Sequence, residues 1–198
     1  MSKPRVSPLM SHASSGEARG SSADSGLATP APTPQQSDLE RRIWAVLESV
    51  PDPEIPVLSV VDLGIVRHAR VDADEVVRVG VSPTYSGCPA TEVIKASVAE
   101  ALRNAGFERV ELSDVLAPAW TSDWITPDGR RKLREYGIAP PAESVSSPRK
   151  LVRPAPVIAC PRCGSQATSR ISEFGSTPCK ALYRCTSCLE PFDYFKCH

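Results

Sequence analysis

The sequence lacks an excess of charge of either sign, because its 198 residues include 23 Lys and Arg and 23 Asp and Glu. A neutral chain has no overall field that would draw it to nucleic acid or to an acidic membrane surface. It also lacks any apolar run near the roughly 18 residues of a transmembrane helix, and its N-terminal region lacks the apolar segment of a secretory signal. We therefore expect a cytoplasmic protein with no nucleic acid and no membrane among its partners.

Residues 1–36 lack a regular apolar period and consist mainly of Ser, Ala, Pro and Gly. Such a segment buries too little apolar surface to offset the entropy lost on ordering, so we predict a disordered tail. A transit peptide is the alternative, but Arg is sparse in this segment, and Glu17 and Asp24 interrupt it. A second stretch rich in Pro and Ser, residues 140–157, is predicted to be a linker.

Residues 37–139 contain the helix and strand patterns of a small globular domain. Ser37 and Glu40 match a capping box that predicts the first helix, and Pro51 ends this helix. The segments "LGIVRHARV" and "EVVRVGVS" predict a β-hairpin, a second helix follows Pro89, and "FERVEL" predicts a third strand. A short basic helix is predicted at "DGRRKLREYG". This order predicts the α+β fold class, with a small two-layer αββαβ domain followed by a C-terminal module.

Six of the seven cysteines lie within residues 160–198, in paired spacings that favour a metal site over a disulfide framework. Cys160 and Cys163 form one C-x2-C pair, Cys185 and Cys188 form another, and 21 residues separate the pairs. Each pair can direct two thiolates of one tight turn to the same ion, so two such turns complete a tetrahedral site. We predict a zinc ribbon at residues 158–198 with a structural four-cysteine zinc, because so short a segment needs metal to fold. Iron in a rubredoxin-like site is the alternative.

Cys179, Cys197 and His198 have no place in this paired spacing. We interpret them as partly buried thiols and an exposed terminus, with a second metal site as the alternative. The aromatic side chains of the module are interpreted as a small core under the ribbon, because its mild basic excess is too small to indicate base stacking. These aromatic residues are Phe174, Tyr183, Phe192, Tyr194 and Phe195.

Cys88 stands alone at a predicted helix start, between Gly87 and Pro89 in "SPTYSGCPATEVI". Pro favours the first helical position, which makes Cys88 the N-cap or its neighbour. Unpaired backbone N–H groups and the helix dipole stabilise a thiolate there, so the sequence predicts a reactive or metal-ligating cysteine. A buried structural cysteine is the alternative. None of the three histidines stands beside Cys88 in sequence, which argues against a Cys–His catalytic pair.

Three carboxylates, Asp52, Glu54 and Asp62, belong to the loop region around "PDPEIPV", which three prolines hold extended. We expect this loop to face Cys88 across the end of the sheet, with solvated turn-forming carboxylates as the alternative. One cysteine cannot hold an iron–sulfur cluster, because clusters need about four protein ligands. A cluster at Cys88 would therefore be shared between two copies of the chain or with a recipient protein.

The segments "DPEIPVLSVVDLGIVR" and "SPTYSGCPATEVI" resemble the small α+β domain family of iron–sulfur carrier and maturation factors that includes SufT-type proteins. The Asp-Pro-Glu loop of that family falls on Asp52, Pro53 and Glu54, and its reactive cysteine falls on Cys88. The segments "APAWTSDWI" and "GRRKLREYGIAPP", together with the ribbon, resemble the PaaD family of components of multicomponent phenylacetyl-CoA ring epoxidases. This resemblance covers residues 38–198 and leaves the N-terminal tail without a counterpart.

The resemblance implies an accessory protein that is not itself an enzyme and that acts in the maturation of an oxygenase system for aerobic phenylacetate degradation. Such systems activate dioxygen at a di-iron carboxylate centre and receive electrons from a flavin and iron–sulfur reductase. The implied partners are the oxygenase or the reductase component, with a homodimer as a further possibility. The implied cofactors are structural zinc in the ribbon and transient iron or an iron–sulfur cluster at Cys88. The chain itself contains no Glu-x-x-His pair, no Gly-rich dinucleotide motif and no ferredoxin-type cysteine spacing.

Three functional hypotheses follow from these patterns. The first is a maturation factor in which Cys88, Asp52 and Glu54 handle iron or a cluster, or dock the client, while the ribbon recognises the partner. The second is a structural component of the epoxidase complex that uses the ribbon and the tryptophans Trp120 and Trp124 as an interface. The third is an enzyme with its own thiol chemistry at Cys88, which the lack of a neighbouring histidine disfavours.

Overall fold

A computed structural model of the chain describes residues 34–85, 87–142 and 157–196. The predicted tail up to residue 33, the central part of the predicted linker, and both Cys197 and His198 lie outside the described residues. Helix α1 spans Pro34–Glu48, so it begins before Ser37, where the capping-box pattern predicted its start. No helix in the described ranges is both long enough and apolar enough to cross a lipid bilayer.

The first sheet contains three strands, β1 (Val66–Val71), β2 (Val77–Val81) and β3 (Val110–Asp114), in that spatial order. Strands β1 and β2 form the predicted antiparallel hairpin, and β2 pairs with β3 in parallel. A parallel neighbour requires a crossover connection, and helix α2 (Ala90–Asn104) provides it. The α+β fold class and the αββαβ order are confirmed.

The main core lies between this sheet and the helices that cover it. Alternation in β2 places Val77, Val79 and Val81 in the core, each no more than 1% exposed. Helical spacing in α2 places Ile94 and Val98 on one face of the helix, where they join the same core and pack against the sheet and α1. Helix α3 (Pro127–Tyr136) closes the layer, with Thr126 as its N-cap.

The second sheet belongs to the C-terminal ribbon and has four strands in the order β4-β7-β6-β5. These strands are β4 (Ile138–Ala139), β5 (Thr168–Ser172), β6 (Lys180–Cys185) and β7 (Pro191–Phe195). Strand β4 follows α3 directly and pairs in parallel with β7, so the ribbon sheet includes a strand that precedes the predicted linker. Phe192 and Tyr194 are buried in a separate small core, with Tyr183 packed against it, as the interpretation of the ribbon aromatics expects. The interpretation is wrong for the other two, because Phe174 is 65% exposed and Phe195 belongs to the main core.

The ribbon packs on the main core through residues of its own strands. Phe195 is 1% exposed, and its ring centroid lies 6.1 Å from that of Trp120. Trp120 is 4% exposed and donates its indole N–H to the carbonyl oxygen of Leu63 at 2.9 Å. Trp120 is therefore a core residue and has no surface to offer a partner. Trp124 is partly buried, with the guanidinium of Arg67 over its ring.

A turn at Gly64 connects the loop region to β1. At this turn the chain packs closely against the backbone of Trp124, which lies just before α3. Gly64 has φ +64°, and a Cβ added there would lie 2.3 Å from the carbonyl oxygen of Trp124. Gly64→Ala is expected to lower the free energy of unfolding by about 2–5 kcal/mol, because a left-handed backbone and a clash with backbone atoms add together. Gly106→Ala is the matched control: Gly106 has φ +93° with no atom near the added Cβ, so about 1–2 kcal/mol is expected. Urea denaturation measures both, and equal losses would contradict the close approach at Gly64.

Candidate functional site

The four cysteines of the ribbon converge on one point. The Sγ atoms of Cys160 and Cys188 are 3.7 Å apart, those of Cys163 and Cys185 are 3.6 Å apart, and all four lie within 4.8 Å of one another. Thiolates about 2.3 Å from a tetrahedral ion are separated by about 3.8 Å. The cluster therefore has the spacing of a four-thiolate metal site, as the paired motifs predict.

Backbone donors prepare this site for a thiolate. The amides of Ser187 and Cys188 both point at the Cys185 Sγ atom, each at 3.4 Å. Hydrogen bonds from these amides lower the pKa of Cys185 to about 6. Because metal binding requires the deprotonated thiol, these two amides favour the form of Cys185 that binds a metal ion.

A second site lies at the start of α2, on the main domain. A small cavity of about 20 Å³ is lined by residues of the Asp-Pro-Glu loop, the end of β2, the α2 start and the ribbon. Its polar lining groups are Asp52, Glu54, Ser82, Thr84, Cys88, Thr91 and Cys179. The cavity has room for about one water-sized particle. Candidate residues from three separate parts of the sequence thus meet in one place.

Cys88 lies at one wall of this cavity and is half-buried. Pro89 is the N-cap of α2, so Cys88 is the neighbour of the N-cap, and its carbonyl oxygen accepts from the Thr91 amide at 3.2 Å. Gly87 has φ +80°, and a Cβ added there would meet no atom within 4 Å. Burial and a hydrogen bond with Cys88 raise the pKa of the Tyr85 phenol to about 12. Cys88 is accessible and has a neutral hydroxyl beside it.

Asp52 and Glu54 both line the cavity, but they have different roles. Asp52 is 6% exposed, and its Oδ1 accepts from the amides of Glu54 at 2.9 Å and Ile55 at 2.7 Å. Burial raises the pKa of Asp52 in spite of these hydrogen bonds. The Asp52 carboxyl therefore shapes the loop, whereas the half-buried Glu54 carboxylate remains free of the turn and faces the cavity.

Cys179 enters the same cavity from the ribbon. Its thiol lies 3.5 Å from the Glu54 Oε2 and 3.0 Å from the Thr177 hydroxyl oxygen. The residue is 4% exposed, and burial raises its pKa to about 11. In the sequence, Cys179 is a cysteine left outside the paired motifs, and its contact with Glu54 spans 125 residues. No local pattern could have placed it here.

Asp62 does not line this cavity, contrary to the expectation that it would face Cys88 with the other two carboxylates. Its Oδ2 accepts from the Lys132 ammonium at 2.7 Å and from the Ser59 amide at 2.9 Å. Burial alone would raise the pKa of Asp62, but the hydrogen bonds from Lys132 and Ser59 outweigh it and lower the pKa. Asp62 therefore joins the loop to α3 and has a structural role.

His68, the histidine in the described part of the chain, also lies away from the cavity. It sits on β1 against Gly80, where a Cβ would approach its ring to 2.2 Å. Among the described residues, no histidine lines the cavity beside Cys88.

Comparison with known proteins matches two regions of the chain to two different family models. A family model described as an iron–sulfur cluster assembly protein matches residues 40–112, and one described as the PaaD zinc beta ribbon domain matches residues 144–196. The Fe-S protein maturation auxiliary factor of Porphyromonas gingivalis is 33% identical over 95 residues, which are 48% of this chain and 90% of that protein. A solved structure of the DUF59 domain from Bacillus anthracis, 27% identical, covers 50% of this chain and 94% of its own with a TM-score of 0.47.

The chain thus combines an iron–sulfur assembly type of α+β domain with a PaaD-type ribbon whose four cysteines have the spacing of a metal site. An Escherichia coli (strain K12) protein, named as the D component of 1,2-phenylacetyl-CoA epoxidase, is 54% identical over 171 residues. The matched region is 86% of this chain and 98% of that protein. The chain belongs to this PaaD family of epoxidase components.

Proposed function

We propose that this protein is a non-catalytic maturation factor that supports insertion of iron or an iron–sulfur cluster into a component of the phenylacetyl-CoA epoxidase system. The client is the oxygenase or its reductase, and the place of action is the cytoplasm. Cys88 and Glu54 contact the metal cargo, Asp52 holds their loop in shape, and the ribbon presents the partner-binding surface.

The meeting of Cys88, Glu54 and Asp52 in one small cavity is the observation that supports this proposal. A thiol beside a carboxylate at a helix start is a donor set suited to iron, and it is too small a set to keep a cluster permanently. A site that binds weakly and opens to solvent can pass its cargo on. The names of the maturation-factor relatives support the same reading of the α+β domain.

Zinc is the metal we propose for the ribbon. Four thiolates at tetrahedral spacing occupy every coordination position of such an ion, which is typical of structural zinc. The buried ribbon core contains two of these cysteines, Cys160 and Cys185, so metal and core form one unit. Metal analysis of the purified full-length chain would test this assignment, with iron in place of zinc as the contrary result.

The proposal is tested by measuring iron and acid-labile sulfide in the oxygenase and the reductase, each produced with and without this protein under the same iron supply. We expect one component to be iron-poor without it, and that component is then the client. The matched comparison is the other component, whose iron content should not change. If both are fully loaded and epoxidase activity still requires this protein, it is a structural component of the complex.

A further inference from the structure

The cavity at the α2 start contains a second thiol, Cys179, that the ribbon supplies. We propose that Cys88, Cys179 and Glu54 together bind a single thiophilic divalent cation, iron(II) as cargo, so that the docked ribbon completes the site. This inference deepens the proposed function and rests on it for the identity of the cargo. It makes the ribbon part of the metal-handling site as well as a partner-binding surface.

The spacing of Glu54 and Cys179 matches two ligands of one ion. Their Oε2 and Sγ atoms are 3.5 Å apart. A tetrahedral ion with a thiolate at about 2.3 Å and a carboxylate at about 2.1 Å separates these two atoms by about 3.6 Å. The hydrogen bond between them can therefore give way to a shared cation without a change in their separation.

Cys88 provides the third ligand from the start of α2. It is half-buried and lines the same cavity of about 20 Å³ as Glu54 and Cys179. Among the described residues, only the four ribbon cysteines already have all ligand atoms within 4.8 Å. Rotation of the half-buried Cys88 side chain must therefore close the set, and a cation that binds in this way can also be released.

Ser82 gives independent evidence that this cavity is built for a polar occupant. It is 1% exposed and lines the cavity, and its hydroxyl has no hydrogen-bond partner among the described residues. A buried hydroxyl without a partner costs about 1–3 kcal/mol, so such groups are rare in folded proteins. A thiolate or a water molecule bound to the cation would satisfy it.

The size of the cavity favours a single ion over a cluster. About 20 Å³ holds roughly one water-sized particle, whereas a cluster carries several atoms and needs about four protein ligands.

The test uses the full-length chain with its ribbon loaded with zinc, titrated with Co²⁺ under reducing, oxygen-free conditions. Co²⁺ substitutes for iron(II), and its sulfur-to-metal absorption reports bonds to thiolates. We expect a second, Cys-dependent site in addition to the retained zinc. Cys88→Ser and Cys179→Ser should each weaken Co²⁺ binding at least about 100-fold. Removing a residue that only hydrogen-bonds to a metal ligand weakens binding by up to about 100-fold, so a larger loss indicates a direct ligand. Cys197→Ser, which removes a different ribbon thiol, is the matched control and should bind as the wild type does.

Each outcome separates this inference from the proposed function. If Cys179→Ser binds Co²⁺ normally while Cys88→Ser does not, the ribbon thiol is not a ligand, and the proposed role of Cys88 stands. If both variants bind normally, the three-residue site is wrong, and iron handling at Cys88 is contradicted as well. Metal uptake that occurs only when sulfide is added with iron would favour a cluster and overturn the single-ion site.

A measurement on the unmodified protein covers the case in which Cys179→Ser fails to fold. X-ray absorption at the cobalt edge, on zinc-loaded wild-type protein with one equivalent of Co²⁺, counts the sulfur neighbours of the added ion. We expect two sulfur atoms and light-atom ligands. One sulfur atom or none would overturn the contribution of Cys179.

Discussion

Removal of the ribbon metal is expected to unfold strands β5, β6 and β7 together and to destabilise the α+β domain at the same time. The ribbon core is small, and metal binding provides on the order of 10 kcal/mol of folding free energy in small zinc modules. Because Phe195 and Cys179 belong to the main core, unfolding of the ribbon also removes side chains from that core. By analogy with a buried Phe→Ala change, the α+β domain should lose about 3–5 kcal/mol.

Hydrogen exchange before and after chelation under reducing conditions measures this effect, with β2 amides reporting the main domain and β6 amides the ribbon. Phe174→Ala is the matched control for an aromatic of the ribbon, because Phe174 is 65% exposed and its loss should change stability little. Retained protection in β6 after the metal has been removed would show that the ribbon folds without it. Loss in β6 with unchanged β2 exchange would show that the docking contact is energetically weak.

Replacement of Cys88 by alanine is expected to abolish growth on phenylacetate while the protein remains folded. Cys88 is half-buried, so the loss of its thiol should cost no more than about 1 kcal/mol of stability. The iron content of the client should fall to the level found without this protein, because in the proposed function the Cys88 thiolate contacts the cargo. Complementation of a deletion strain, with client iron measured in parallel, provides the test.

The matched control for this variant is Val93→Ala, on the same helix and 52% exposed. Val93 does not line the cavity, and the variant should support normal growth and normal iron content. Normal growth of the Cys88 variant would remove Cys88 from the mechanism. Poor growth of both variants would indicate that α2 itself must be undisturbed, and the role of the thiol would then require the metal-binding measurement.

Local patterns in the sequence predicted the parts of the structure that depend on neighbouring residues. The hairpin was predicted by alternation in β2, and the helix start beside Cys88 by Pro89, because strand and helix periods are set by the backbone itself. The ribbon cysteines were predicted together because C-x2-C turns place their thiols with little help from distant residues. The family resemblance added the roles that the family gives to the Asp-Pro-Glu loop and to Cys88.

The remaining features depend on how distant segments pack. Asp62 pairs with Lys132, 70 residues away, and Trp120 is buried by Phe195 of the ribbon. Neither contact has a signature in the local sequence, because a charged or aromatic residue looks the same whether it is solvated or packed. For the same reason Cys179 could be identified only as a cysteine outside the paired motifs.

By itself, then, the sequence determined the two chemical centres of this protein: a four-thiolate ribbon, and a cysteine at a helix start beside an acidic loop. The tertiary structure alone decided that Cys179 stands 3.5 Å from Glu54 and that the ribbon closes the cavity of the α+β domain. The physical reason is that ligand spacing within a turn is a local property of the backbone. The docking of one module on another depends on burial summed over many residues from the whole chain.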